Sequence, residues 1–324
     1  MMNIIFQRKP TLMKSIFKIN RPLIQTIKVF IILILISVSA VHALPIDSLK
    51  GLVKQKKKIV FIAGARSHGK GEHEFKGGCT LLAKRLNEHT KNINAVVYDS
   101  DWPTDNSVLE DADAIVIFSD GGEGHMIIPH LEEMDKLMKK GVGLVLLHYA
   151  VELPKGEKGN YFLNWVGGYY EPFWSVNPFF NGKFETIPKH AITRGVKPFE
   201  AKDEWYYHMR FTKDMKNVTP LLVTLPPKIG SDKPDGSHDN NPFVREESNK
   251  GIPQTMAWAF KRSNGGRGFG FTGGHMHNNW MNDDFRKLVL NAILWTAKVK
   301  VPKDGLQTPT PTQSELDSLL DKSK

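Results

Sequence analysis

Four apolar runs in this chain each stop abruptly at polar or glycine-rich residues, and this pattern restricts the fold more than any other feature. The runs are residues 59–63 before Ser67 and His68, 114–118 before Ser119 and Asp120, 144–147 before His148, and 269–271 before Gly273, Gly274 and His275. Near-continuous Val, Ile, Leu and Phe suits strands buried on both faces, as in a parallel sheet covered by helices. Ligands of such sheets bind just beyond the carboxyl ends of the strands. Three of the four runs deliver a histidine there, and the fourth delivers an aspartate.

Between the runs the periodicity changes to that of helices. Leu81, Leu82 and Leu86 predict a helix over 77–89, and a short strand follows at 95–98. Pro129 at a first turn opens a helix over 131–138 that Gly141 stops, and a strand over 142–147 follows at once. This β-α-β-α-β order predicts a doubly wound, mostly parallel α/β sheet. An aromatic-rich insertion at 161–180 then interrupts it. After the insertion, strict alternation over 204–211 predicts an extended strand with Glu204, Tyr206, His208 and Arg210 on one face and Trp205, Tyr207, Met209 and Phe211 on the other. Residues 226–251, rich in Pro, Gly, Asp, Ser and Asn, read as a long surface loop or lid. A strand at 255–260, a turn at Asn264, Gly265 and Gly266, and the strand into His275 form a hairpin. Asn282 or Asp283 caps a closing helix carrying Phe285, Leu288, Val289, Ala292 and Ile293. Residues 302–324 read as a disordered tail with at most a short helix near 316–320.

Composition matters mainly at the N-terminus. Arg8, Lys9, Lys14, Lys18, Arg21 and Lys28, with no acidic residue among them, precede the apolar stretch 29–36 and the close at Val41, His42 and Ala43. That is the layout of a secretory signal peptide over 1–43, and the apolar stretch is short for a membrane span. Met13 is an alternative start. The leader holds six of the 44 Lys and Arg and none of the 34 Asp and Glu, so without it 38 face 34 and the net charge falls from +10 to +4. A nucleic-acid partner therefore finds no support in the charge. A single cysteine, Cys79, permits no internal disulfide, and its absence from the leader argues against a lipid anchor. The expected address is periplasmic or secreted, with no stable membrane anchor, with 44–57 as a lead-in to one domain over 58–301.

The candidate site residues sit at the strand ends. His148 follows a buried strand at a position suited to a base or a metal ligand. Gly273 and Gly274 let the backbone approach a ligand at His275, and in an extended loop His275 and His277 share a face suited to chelation or acid/base work. The first loop, 64–74, has the glycines and cations of an anion-binding turn but neither the Walker nor the dinucleotide spacing, so no nucleotide cofactor is expected. His68 is its candidate, with His73 behind it because Glu72, His73 and Glu74 also suit a solvated helix entrance. Asp120 is a catalytic acid or a polar turn residue. Glu204, Tyr206, His208 and Arg210 form an acid/base or sugar-binding set. Trp174 is the aromatic residue placed to stack on a sugar ring.

The runs Ser67, His68, Gly69 with Glu72, His73; Leu146 to Ala150; Asp203 to Tyr206; and Thr272 to His275 resemble the ThuA-like (trehalose utilisation) family over residues 58–301. The resemblance implies a flavodoxin-like fold similar to class I glutamine amidotransferases. Those enzymes carry a nucleophilic cysteine where this chain has His148, so thiolate-dependent glutamine hydrolysis is excluded. It also implies a small-molecule carbohydrate substrate, through trehalose and oxidised (3-keto) glycosides. A ketone at C3 acidifies the C2 proton, so a base and an electrophile suffice to eliminate the aglycone. The expected roles are His148 or His275 as base, a divalent metal (zinc or manganese, on His148, His275 and His277) or Arg210 as electrophile, and Glu204 or Tyr206 serving the leaving group. His68, Trp174, His208 and Arg210 are expected to bind the sugar. The alternatives are a non-catalytic periplasmic carbohydrate-binding protein and a metal-dependent hydrolase with a non-sugar substrate.

Overall fold

The first of the apolar runs forms the last part of β1 (Lys57–Ala63), whose final five residues are buried. The computed structural model describes residues 55–99, 102–230 and 232–322, so the expected leader and most of the lead-in lie outside the described residues. After β1 the chain passes through a loop into α1 (Phe75–His89), then β2 (Ile93–Asp99), the single turn α2 (Ser107–Glu110) and β3 (Ala114–Phe118). Next come α3 (Leu131–Lys139), β4 (Gly143–Leu147), α4 (Glu157–Trp165) and the two-residue β5 (Gly168–Tyr169). β6 (Phe179–Phe184) pairs with β7 (Phe199–Glu204), and β8 (Arg210–Phe211) pairs back to β5. The last part runs β9 (Val218–Thr224), α5 (Pro242–Lys250), β10 (Gln254–Lys261), β11 (Arg267–Phe271), α6 (Asp283–Thr296) and α7 (Gln313–Ser318).

Seven strands form the central sheet in the order β2-β1-β3-β4-β11-β10-β9. The first five are mutually parallel, and β10 runs antiparallel to both its neighbours. Ile59, Phe61 and Ala63 enter one apolar core with α1 and α6, while Val60 and Ile62 enter another with α3 and α4. Successive side chains of a strand point to opposite faces, so a run apolar at every position is required to fill both layers. This is the expected flavodoxin-like, doubly wound fold. The strand order reverses between β1 and β3, which places a ligand crevice past their carboxyl ends.

Three expectations change. The alternating segment over 204–211 is not one strand: β7 ends at Glu204, His208 takes a left-handed backbone (φ 55°), and the chain re-enters a strand only at Arg210. The expected loop 226–251 contains α5, whose Asn241 side chain accepts the Val244 N–H with Pro242 beginning the first turn. Its helical spacing is weak, which hid it among loop-forming residues. The C-terminal segment also packs: Leu316 is fully buried, and Glu315 pairs with Lys84 and with Arg85 of α1. Among the described residues no helix is long and apolar enough to cross a membrane.

Candidate functional site

The parallel strand ends and the β6–β7 hairpin bring four side chains together: His73, His148, Glu204 and His275. Two of them arrive on a constrained backbone. His148 begins the turn after β4 at φ 52°, and His73 sits before α1 at φ 49°. A non-glycine side chain there is uncommon and is held only by surrounding structure. The His73 N–H donates to the His275 carbonyl at 3.1 Å, which joins the first loop to the last.

His275 is fixed by Asp203, which is fully buried in β7. Its carboxylate accepts the backbone N–H groups of Gly274 (2.7 Å), His275 (3.0 Å) and Met276 (3.3 Å) and the Asn279 amide (2.9 Å). Gly274 has φ 121°, and a Cβ on Gly273 would lie 2.6 Å from the Trp205 ring, so this chain reversal requires its two glycines. Asp203 stood in the sequence only as the neighbour of Glu204, with nothing to mark it as the anchor of a loop that begins 71 residues away at Gly274.

The outer nitrogen of each central imidazole meets an acceptor. His148 Nδ1 lies 2.9 Å from the Thr272 carbonyl, which can only accept, so Nδ1 carries the hydrogen. His73 Nδ1 lies 3.2 Å from the Asp120 carboxylate and 2.9 Å from the Ser67 hydroxyl, which itself donates to Asp120 at 2.7 Å. With both rings neutral the inner Nε2 atoms present lone pairs, and they face each other at 3.1 Å. Glu204 Oε2 is 3.5 Å from His148 Nε2 and 3.1 Å from His275 Nδ1, while Glu204 Oε1 accepts from Asn177 at 3.0 Å. The Tyr206 hydroxyl, 3.4 Å from His148 Nε2, donates to Glu204 Oε2 at 3.3 Å.

Burial lowers the His73 pKa to about 4, with His148, His68 and His275 adding to the fall and Asp120 opposing it. Burial would raise Glu204, but His148 and His275 outweigh it and hold the carboxyl well below its usual range. Burial, reinforced by Glu204 and Glu152, keeps the Tyr206 phenol protonated well above its usual pKa. The cluster opens to solvent past His68, whose ring centroid is 3.7 Å from that of His73, and past Phe179, 4.8 Å from that of His275.

Of the residues picked out in the sequence, the structure thus brings together His148, His275, Glu204, Tyr206, Asp120 and His68. It does not bring in His277. An extended loop would have put it beside His275, but a tight helical turn (His277–Met281) starts at that residue and its ring packs toward Gly77 of α1. His208, Arg210 and Trp174 form a separate cluster, because the backbone turns at His208. The Arg210 guanidinium lies 3.5 Å from the Trp174 ring centroid and pairs with Glu171, while His208 Nδ1 donates to the Trp174 carbonyl at 2.7 Å. Arg210 is thereby separated from the position expected for the electrophile. His73 takes the place in the four-residue cluster that the sequence had offered to His277.

The family model of ThuA, described as trehalose utilisation, matches residues 60–296. Among solved structures, a ThuA-like protein from Bacteroides uniformis is similar at 18% identity over 74% of this chain and 91% of its own, with a TM-score of 0.50. Another from Parabacteroides merdae is 15% identical over 81% of this chain and 99% of its own, with a TM-score of 0.48. No curated protein matches the chain.

Proposed function

The chain belongs to the ThuA family of trehalose utilisation, and from that premise we propose that it is a metal-assisted lyase or hydrolase acting on oxidised (3-keto) glycosides outside the cytoplasm. The observation that carries the proposal is the pair of Nε2 lone pairs of His73 and His148, aimed at one point beside the Glu204 carboxylate. Two acceptors at that distance repel unless a cation lies between them, and nitrogen and carboxylate donors fit zinc or manganese. Their outer hydrogen bonds, to Asp120 and to the Thr272 carbonyl, are those that orient metal-bound histidines elsewhere. His73, His148 and Glu204 would hold the ion, with His275 within reach. When bound, such an ion polarises a carbonyl or hydroxyl oxygen of the substrate.

The remaining groups fit an elimination. His275 Nδ1 faces Glu204, and its buried Nε2, without a hydrogen-bond partner and 3.9 Å from Glu72 Oε2, is the nitrogen left to act as base. In a 3-keto glycoside this nitrogen takes the acidified C2 proton. Tyr206, a neutral phenol, holds Glu204 in place, and Asp203 keeps His275 in register with it. His68 and Phe179 at the opening meet the sugar. The donor that protonates the leaving oxygen is not among these four clustered residues.

The test is direct. Purified protein supplied with zinc or manganese is expected to consume 3-keto-trehalose and related 3-keto glycosides while sparing the unoxidised sugars. His148→Ala should abolish turnover, whereas in a carbohydrate-binding protein without catalysis it would only weaken affinity. Unchanged keto-glycosides with either metal overturn the proposal.

A further inference from the structure

We propose that Glu152 and His238 are the proton-donating pair for the departing oxygen of the substrate, an inference that rests on the keto-glycoside reading. Glu152 follows His148 by four residues, at the end of the turn beyond β4, and is only 2% exposed. Both its carboxylate oxygens meet His238 Nε2, at 3.1 and 3.2 Å. A buried carboxyl balanced by an imidazole is a pair of titratable groups at a strand end, and such pairs collect where proton transfer is required.

The pair faces the cluster across a wall of phenols. The Tyr206 hydroxyl touches His148 and Glu204, and the Tyr206 ring lies 5.2 Å from Tyr170 and 6.2 Å from Tyr149. His238 stacks on the other partner, Tyr170, at 5.5 Å. Glu152 is near enough for its charge to be felt at Tyr206 and Glu204. Gly122, at φ 69°, packs closely against this carboxyl: a Cβ there would stand 3.2 Å from Oε1 and 3.6 Å from the Tyr149 hydroxyl.

His238 belongs to the loop between β9 and α5, and this loop is tied to the site twice. Its ring meets Glu152, and its carbonyl accepts the Asn177 N–H at 3.1 Å. The Asn177 side-chain amide in turn donates to Glu204 Oε1 at 3.0 Å. Burial raises the Glu152 pKa against the opposing effect of His238, while the hydrogen bond to Glu152 raises that of His238, so the proton to be donated belongs to the pair.

The step balances without a further reactant. His275 Nε2 removes the C2 proton, and the C2–H electron pair forms the enolate of the C3 ketone. Its collapse to a C1–C2 double bond expels the C1 oxygen with the bonding pair. That oxygen takes the Glu152 proton and leaves as the alcohol. Glu152 regains a proton from solvent through His238, and His275 releases the one it took.

A leaving-group comparison on the metal-loaded full chain tests this. The probes are two 3-keto-glucosides, one with a methyl and one with a 4-nitrophenyl aglycone, the second needing no proton to depart. Glu152→Gln is expected to lower kcat/KM on the methyl glycoside by about 100-fold or more, the usual worth of a general acid, and to change the nitrophenyl rate only a few-fold. Bound metal should match the wild type. His238→Gln is expected to show the same split to a smaller degree, and it decides the matter if Glu152→Gln does not fold. Equal losses on both aglycones, or no loss on either, overturn the inference while leaving the family reaction standing. A wild-type protein that converts neither glycoside overturns the reaction itself, and this inference with it.

Discussion

A histidine at a strand end can be ligand, base or loop filler, and here the group on its outer nitrogen decides which. The Thr272 carbonyl fixes His148 and the Asp120 carboxylate fixes His73, leaving the His275 Nε2 without a hydrogen bond, 3.9 Å from Glu72 Oε2. Asp120→Ala removes the acceptor that holds the His73 hydrogen on Nδ1. Zinc affinity is expected to fall about 10- to 100-fold, as for other losses of a ligand's outer partner. Competition with a chromophoric chelator measures it, with His277→Leu as the comparison that should bind as the wild type does. Unaltered affinity in Asp120→Ala would remove Asp120 from the site. His148 and His275 were legible in the sequence because a buried apolar run led directly to each. His73 was legible only as a second candidate behind His68, since its flanking glutamates resemble a solvated helix start and its left-handed backbone is imposed by contacts with the distant His275 loop.

At the scale of elements, local pattern succeeded where one element fills one environment. The strands into Phe118 and Leu147 and the capped helix α6 are such cases, with the Asn282 side chain accepting the Asp284 and Phe285 N–H groups. Pattern failed over 204–211, where period-two alternation concealed a turn that sends Glu204 and Tyr206 to one cluster and His208 and Arg210 to another. It failed again at the C-terminus, where polar composition suggested disorder but the segment docks on α1. There Asp321 donates its N–H to Glu74 at 2.7 Å, and Glu74 Oε1 accepts the Gly71 N–H at 3.0 Å, so the tail braces the loop that carries His73. Glu315 is the anchor, engaging both outer nitrogens of Arg85, which is only 4% exposed. Glu315→Gln leaves a buried guanidinium short of its counter-charge, at a cost of about 1–3 kcal/mol. For a domain of this size each kcal/mol lowers the thermal midpoint by about 2–4 °C, which scanning calorimetry resolves. A midpoint equal to the wild type would mean that the tail does not hold α1.

For the molecule as a whole, the cluster is a junction as much as a site. Residues 73, 148, 204 and 275 reach it from the loop before α1, the end of β4, the end of β7 and the loop after β11, each held by contacts with another of the four segments. An unfolded chain cannot reproduce that arrangement, so an ion that binds there binds the folded state and stabilises it by mass action. At a free concentration 100 times its dissociation constant the gain is about 2.7 kcal/mol. Chelator-treated protein is therefore expected to melt several degrees lower than the same protein given zinc or manganese, with the difference growing with metal concentration. In His148→Ala the metal-dependent part should vanish, because the Nε2 donor facing His73 is gone. Magnesium, which prefers oxygen ligands, should reproduce little of the shift. If zinc and manganese leave the wild-type midpoint where the chelator put it, the facing imidazoles hold no ion, and the electrophile in any reaction at this sheet edge has to come from Tyr206 or from a protonated histidine.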